Sequence, residues 1–153
     1  FHGINRINYL KKGNDVFEKA LAIVKSKYPT SVEIVTTESL PYNQYIKGMG
    51  QAHIVMDMMY SKDQGYNALE AMAMGKVVFT GAGREWQNHY KIPADTVAIH
   101  AENNIDILVE KLSFLIENRS KIDEIGENAN AFISEHHDYI KSAEKYLKLW
   151  QAS

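Results

Sequence analysis

The chain has 153 residues, of which 45% are hydrophobic and 24% charged, and its formal net charge is -2. This length suits one domain with a sizeable core, and the charge balance argues against proteins that bind nucleic acids or anionic membranes. The absence of Cys excludes a disulfide framework and a thiolate nucleophile, and no stretch approaches the roughly 18 consecutive apolar residues of a membrane span.

The first third of the chain predicts a helix, a strand and a second helix. Asn14 or Asp15 is expected to cap the first helix, whose apolar residues recur on one face until Pro29 ends it. Val32–Thr36 (VEIVT) alternates well enough to predict a strand. After a loop, Tyr42–Met49 is expected to form a short helix.

The most informative stretch of the chain predicts a strand, a loop, a helix and another strand. His53–Asp57 (HIVMD) is short, apolar and β-branched, as expected for a buried parallel strand. Gly65 stands where the chain turns into a helix over Tyr66–Met74, and Gly75 ends that helix. Val77–Thr80 (VVFT) is the next strand. Since strand–helix–strand connections are right-handed in nearly all known cases, this unit predicts a parallel sheet.

The last part of the chain continues the alternation and ends in helices. Arg84–Tyr90 is expected to be a short helix and Thr96–Ile99 (TVAI) a fifth strand. An amphipathic helix begins at one of the two Asn at 103–104, and residues 119–153 are helical with a break at 136–138. The whole pattern predicts an α/β fold with an open, mainly parallel sheet and helices on both faces.

The start of the helix after Gly65 is a candidate phosphate site. Its first backbone N–H groups lack partners within the helix, and the helix dipole places positive potential there. Gly65 would let the backbone approach a ligand closely, and Glu70, about one turn further on, could reach a hydroxyl beside the phosphate. A glycine turn before an ordinary packed helix, with Glu70 facing solvent, fits the same pattern.

The run GYNALEAMAMGKVVF resembles the signature E-x-x-G-x-x-x-x-E-A-M-A-x-G-x-P-V-V of retaining GT-B glycosyltransferases, the group 1 type with the E-x7-E motif. The preceding AHIVMD is also similar to bacterial polysaccharide-biosynthesis members of that family. Lys62 stands where the family has its first Glu, which contacts the transferred sugar, and Val77 stands where it has Pro. Asp63 is the candidate replacement for the missing acid. The matching residues are Gly65, Glu70, Ala71, Met72, Ala73, Gly75 and Val78.

The resemblance implies that residues 1–153 form the C-terminal, nucleotide-sugar-binding domain of a GT-B enzyme, a Rossmann-like half whose first strand ends near Gly3. The segment GINRINYLKKG resembles the family's first loop, so Arg6 and Lys12 are the implied catalytic residues that bind the donor diphosphate, with Lys11 as a competitor for the role of Lys12. Glu70 would hold the ribose. The remaining implied donor-binding residues are Gly3, Leu40, Asp63, Gly65, Tyr66, Asn67 and Ala68.

The implied activity is transfer of a sugar from a UDP-, GDP- or ADP-sugar to an acceptor saccharide with retention, in polysaccharide or glycoconjugate biosynthesis. The enzyme would be a cytoplasmic hexosyltransferase that needs no metal or cofactor. Its own N-terminal acceptor domain would be its partner, so this domain alone is expected to be inactive, and the full-length enzyme would associate peripherally with membranes. No nucleic-acid partner is expected.

Three other functions remain open from the sequence. Lys62 in place of the acid fits a non-catalytic domain that binds a nucleotide sugar or a partner protein. A nucleotide-sugar 2-epimerase shares the architecture, although the E-A-M-A-x-G run belongs to the transferases. Asp57 at the end of a strand is the support for a phosphoacceptor-type regulator.

Overall fold

Five parallel strands form the sheet in the computed structural model, which describes residues 1–151. Their order is β2-β1-β3-β4-β5, and every neighbouring pair is parallel. The predicted open parallel sheet is confirmed. The strands are β1 (His2–Ile4), β2 (Thr36–Glu38), β3 (Ile54–Met56), β4 (Val77–Thr80) and β5 (Ile99–His100).

Helices cover both faces of this sheet, because successive side chains of a strand point to opposite sides. Val77 and Phe79 of β4 face a core layer shared with the first and fifth helices, whereas Val78 between them faces a layer shared with the second, third, fourth and sixth helices. None of the helices within residues 1–151 has the length and hydropathy of a bilayer-spanning segment. The helices are α1 (Asn14–Lys27), α2 (Tyr42–Gln51), α3 (Tyr66–Ala73), α4 (Arg84–Tyr90), α5 (Ile105–Glu117), α6 (Arg119–His136) and α7 (Tyr139–Gln151).

The prediction for the second strand was wrong by several residues. The apolar run 32–36 overlaps β2 only at Thr36, which pairs with His2 of β1. Val32 is instead partly buried against the core layer of α1 and α5, and the carbonyl of Val35 accepts a hydrogen bond from the N–H of His2 (2.9 Å). A segment that packs apolar side chains against the core without pairing shows the same alternation in sequence as a paired strand. The fifth strand is likewise later than predicted, at Ile99–His100.

The predicted cap of α1 was also wrong, whereas that of α5 is confirmed. Gly13 is the N-cap of α1, with a left-handed φ of 75°. Asn14 is instead fully buried, and its Oδ1 lies 2.8 Å from Nε2 of His2. For α5, Asn104 Oδ1 accepts hydrogen bonds from the N–H groups of Asp106 and Ile107. The break between α6 and α7 falls at residues 137–138, within the predicted 136–138, since α6 includes His136. Residues 152–153 of the predicted tail lie outside the described residues.

Candidate glycosyl-donor site

A buried carboxylate joins three loops at the carboxyl edge of the sheet. Asp57 follows β3 directly, and its side chain has no exposed surface. Its Oδ1 accepts a hydrogen bond from Asn67 Nδ2 (2.8 Å) and lies 3.3 Å from Nζ of Lys12. Its Oδ2 accepts a hydrogen bond from Thr80 Oγ1 (3.0 Å). The loop after β1, the first turn of α3 and the end of β4 therefore converge on one side chain.

The main chain also holds Lys12 in place. Its carbonyl accepts a hydrogen bond from the N–H of Met59 (2.9 Å). The next residue, Gly13, adopts a left-handed conformation that L side chains rarely take, and a Cβ there would lie 2.8 Å from Cβ of Met59. The loop after β1 is therefore docked tightly onto the loop after β3.

The N-terminus of α3 carries no side-chain cap. Gly65 is the N-cap in an extended conformation, so glycine is not required there by its φ angle. A Cβ at Gly65 would lie 3.2 Å from the terminal methyl of Met58, so glycine supplies space. The first helical bond is donated by the N–H of Leu69 to Gly65 O. The N–H groups of the preceding turn therefore retain the arrangement that suits an anion.

Two tyrosines of α2 contact α3 beside this end. Tyr42 donates a hydrogen bond to Glu70 Oε1 (2.7 Å), and this bond raises the pKa of Tyr42. Tyr45 donates a hydrogen bond to Asn67 Oδ1 (2.6 Å), and burial raises the pKa of Tyr45 to about 12. The ring of Tyr45 lies so close to Gly3 that a Cβ there would be 2.2 Å from Tyr45 Cε2. The space next to Gly3 is thus filled by the ring of Tyr45.

Arg6 lies at the same edge of the sheet but has different partners from Lys12. It forms a bidentate ion pair with Glu38 at the end of β2, at 2.7 and 2.8 Å, and its guanidinium lies 5.0 Å from the ring centroid of Tyr9. The hydrogen bond with Glu38 raises the pKa of Arg6 and lowers that of Glu38. Its side chain is 54% exposed, compared with 25% for Lys12. Leu40, beyond the end of β2, is also exposed.

The loop of residues 61–64, which contains Lys62 at the position of the family's first acid, is held against Gly81. A Cβ at Gly81 would lie 2.3 Å from the carbonyl oxygen of Ser61, and the carbonyl of Gly81 accepts a hydrogen bond from Gln64 Nε2 (2.6 Å). Lys62 pairs with Glu85 of α4 at 3.0 Å, and both side chains are mostly exposed. Asp63 next to it is exposed as well.

The network around Asp57 goes beyond the sequence prediction, in which Asp57 was only an acid at a strand end. Thr80 and the Tyr45 hydroxyl had no predicted role. The sequence signal for this network is that Asp57 and Thr80 are polar residues at the ends of two apolar strands. Among residues 1–151, no cluster of three or more acids or histidines could hold a metal ion.

A cavity of about 570 Å³ lies elsewhere. It sits at the opposite edge of the sheet and is lined in part by Val32, His53 and Ile116. The candidate site is instead an open surface at the ends of the strands. We assign the site by its convergent polar groups and not by enclosed volume, since those groups carry the chemistry.

A family model described as Glycosyl transferase-like matches residues 8–148. The chain belongs to this glycosyl transferase-like family. No curated protein matches the chain. The predicted membership of the GT-B glycosyltransferases is confirmed by this match together with the fold.

Solved structures share the fold of this glycosyl transferase-like domain. The crystal structure of TarM is similar with a TM-score of 0.73 and 18% identity, over 97% of this chain and 34% of that one. A mutant of S. aureus TarM in complex with fondaparinux, alpha-GlcNAc-glycerol and UDP gives 0.63 and 18% over the same shares. The C-terminal domain of the glycosyl transferase group 1 family protein LpcC from Francisella tularensis gives 0.64 and 22%, over 91% of this chain and 84% of that one. The chain thus spans about a third of TarM.

Proposed function

We propose that residues 1–153 are the donor-binding domain of a glycosyltransferase that moves a sugar from a nucleotide sugar to an acceptor saccharide with retention. One observation carries this proposal: the Lys12 ammonium and the uncapped first turn of α3 are joined through Asp57. A cation beside free backbone N–H groups is the arrangement that binds a diphosphate. The UDP present in the TarM mutant complex is consistent with a nucleotide donor.

In the proposed reaction, the bond between the anomeric carbon of the sugar and the diphosphate oxygen breaks, and its electron pair leaves with the diphosphate. The developing negative charge is stabilised by Lys12 and by the backbone N–H groups of Tyr66, Asn67 and Ala68. The acceptor hydroxyl forms the new glycosidic bond on the same face of the sugar, and its proton passes to the departing diphosphate. The scheme needs no metal ion or cofactor.

The other donor contacts are proposed from their positions around this centre. Glu70 binds the ribose hydroxyls, with Tyr42 holding one carboxylate oxygen. Arg6 moves from Glu38 to the diphosphate, an exchange that costs little because exposed ion pairs add little stability. Gly3, Leu40 and Asp63 complete the proposed set of donor-binding residues.

The complete enzyme is proposed to work with a second domain of its own. That domain would bind the acceptor saccharide and close over the donor. Residues 1–153 alone would therefore have no transferase activity. We further propose a cytoplasmic hexosyltransferase of polysaccharide or glycoconjugate biosynthesis, peripherally associated with a membrane. The 34% coverage of TarM is consistent with a larger enzyme.

A non-catalytic nucleotide-sugar-binding or partner-binding domain is the second candidate. It is favoured by the pairing of Lys62 with Glu85 at the position where the family has an acid that contacts the sugar. The phosphoacceptor function is not favoured, because the Asp57 carboxylate is fully buried and has three partners.

Calorimetric titration with UDP, GDP and ADP tests the proposal. We expect one nucleotide to bind the 153-residue chain. Arg6→Ala and Glu70→Ala should each weaken that binding about tenfold or more, because each removes a charged hydrogen-bond partner.

Matched controls are Arg119→Ala, at the opposite edge of the sheet, and Glu110→Ala, on the exposed side of α5. Both should bind as the wild type does. Binding of none of the three nucleotides, or equal losses in the controls, would overturn the donor-site assignment.

A further inference from the structure

We propose that Asp57 is a positioning residue, whose buried carboxylate holds the Lys12 ammonium beside the first turn of α3. The inference rests on the proposed function, in which Lys12 and that turn bind the donor diphosphate together. It adds a residue that contacts no part of the donor and sets the geometry of two groups that do.

The carboxylate is fixed independently of Lys12. Asn67 and Thr80 each donate a hydrogen bond to a different oxygen of Asp57, at 2.8 and 3.0 Å. Its main-chain N–H donates to the carbonyl of Phe79 in β4 (3.0 Å), so the backbone is part of the sheet. Asp57 is therefore a rigid reference point against which a flexible side chain can be set.

Lys12 is held to that point at both ends. Its carbonyl accepts a hydrogen bond from the N–H of Met59, and its ammonium lies 3.3 Å from Oδ1 of Asp57. An ammonium has three N–H donors, and Asp57 takes one of them. The side chain is a quarter exposed, so the other donors can meet an anion that arrives from solvent.

This arrangement lowers the entropic cost of binding. A lysine on the surface samples many rotamers and loses that freedom when it binds a phosphate. Lys12 has already lost much of this rotamer freedom, because Asp57 holds its ammonium group. Preorganisation of this kind raises affinity without adding a contact to the ligand.

Because Asp57 is negatively charged, the direction in which its removal changes diphosphate affinity distinguishes two roles. If Asp57 only competed with the diphosphate for Lys12, removal of its charge would tighten binding. If Asp57 positions Lys12, removal of its charge must weaken binding. Asp57→Asn separates the two cases, since it keeps the shape and one carbonyl acceptor while the new amide faces the Thr80 hydroxyl.

The experiment has two readouts on the 153-residue chain. The first is the NMR signal of the Lys12 ammonium without ligand. In the wild type it should differ from the signals of exposed lysines, and in Asp57→Asn it should move toward them, because a neutral carbonyl holds an ammonium less strongly than a carboxylate does. The second is affinity for UDP, GDP or ADP, whichever binds, compared with the matching nucleoside. We expect about tenfold weaker diphosphate binding and unchanged nucleoside binding.

Two further variants distinguish positioning from a loss of stability. Leu115→Ala, which removes a buried side chain of α5, lowers stability without touching this network and should keep both the Lys12 signal and the affinity. Asp57→Asn added to Lys12→Ala should weaken diphosphate binding no further than Lys12→Ala does, because Asp57 acts through Lys12.

The inference is overturned if Asp57→Asn binds the diphosphate as tightly as the wild type or more tightly. It is also overturned if the wild-type Lys12 ammonium gives the signal of an exposed lysine, a result that requires neither a ligand nor a folded variant. A wild type that binds no nucleotide refutes the proposed function, and the ammonium signal then still decides whether Asp57 holds Lys12.

Discussion

Tyr45 connects two parts of the candidate site through a single side chain. Its hydroxyl donates to Asn67 in the first turn of α3, and its ring covers Gly3 at the end of β1. Burial raises its pKa to about 12, so the hydroxyl keeps its proton and remains a donor to a higher pH than an exposed tyrosine does. The orientation of the Asn67 amide, and through it one hydrogen bond to Asp57, depends on that proton.

The raised pKa of Tyr45 predicts a loss of stability at high pH. An unfolded tyrosine titrates near pH 10. Between pH 10 and 12 the unfolded chain releases the proton that the native state keeps, so the free energy of unfolding falls as pH rises through this window. Below pH 10 the contribution is fully present. After a discount for partial exposure, the loss is on the order of 1 kcal/mol.

Urea denaturation from pH 8 to 12 measures this loss. Tyr45→Phe should flatten the decline, whereas Tyr60→Phe, which changes an exposed tyrosine, should leave it as in the wild type. An equally steep decline in Tyr45→Phe would contradict the assignment.

Lys62 allows a separate test at the residue scale. Lys62→Glu restores the acid that the family uses to contact the transferred sugar. We expect tighter binding of the nucleotide sugar and unchanged binding of the free nucleotide, because only the sugar would reach this position. The new carboxylate would face Glu85, but stability should change little because both side chains are exposed.

Lys62→Gln is the matched control for loss of the positive charge. Calorimetry with the nucleotide and its sugar, side by side, gives both affinities. If Lys62→Gln raises sugar affinity as much as Lys62→Glu does, the effect comes from removing the cation and not from a restored contact.

At the scale of elements, the packing of α3 against α6 depends on two glycines. Gly75 ends α3 with a left-handed φ of 69°, and a Cβ on Gly126 of α6 would lie 2.2 Å from its carbonyl oxygen. The amide of Asn130 donates to the carbonyl of Ala73 beside this contact (2.6 Å). The two backbones approach so closely that no side chain fits between them.

Gly126→Ala should therefore destabilise the domain by at least about 2 kcal/mol, because backbone must move to admit the methyl group. Gly50→Ala in α2 is the matched control, since its Cβ would meet only the sulfur of Met74 at 3.9 Å. That change should raise stability by about 0.5–1 kcal/mol, because alanine favours a helix. Chemical denaturation measures both, and equal effects would contradict the packing.

The start of α5 gives a second prediction at this scale. Asn104→Ala should cost about 1 kcal/mol of unfolding free energy, since two backbone N–H groups lose their acceptor. Asn103→Ala, one residue earlier and also exposed, should change stability by less than about 0.5 kcal/mol. A thermal denaturation series on the two variants decides which asparagine caps the helix, and similar losses would contradict the assignment to Asn104.

At the scale of the whole molecule, α7 differs from the other α-helices of residues 1–151 because it buries no residue and exposes a row of large apolar side chains. Its apolar residues therefore contribute little to the core. We expect the triple change Tyr146→Ser, Leu147→Ser and Trp150→Ser to shift the free energy of unfolding by no more than about 1 kcal/mol.

A core change gives the contrast for α7. Leu115→Ala in α5 removes a buried side chain and should cost about 2–5 kcal/mol. Urea denaturation of both proteins is the measurement. A triple variant of α7 that loses as much stability as Leu115→Ala would show that α7 is part of the folded core.

The α/β class, the strand–helix–strand unit around Gly65 and the bounds of β4 and α4 could be predicted from the sequence, because apolar periodicity and glycine stops are local properties of the chain. The residue that caps α1 and the place where β2 pairs could not, because each depends on contacts with β1. The same holds for the site. Lys12 and Asp57 are 45 residues apart in sequence and meet only because β1 and β3 are neighbours in the sheet. No local pattern encodes such a pair, since its cause is the order of the strands.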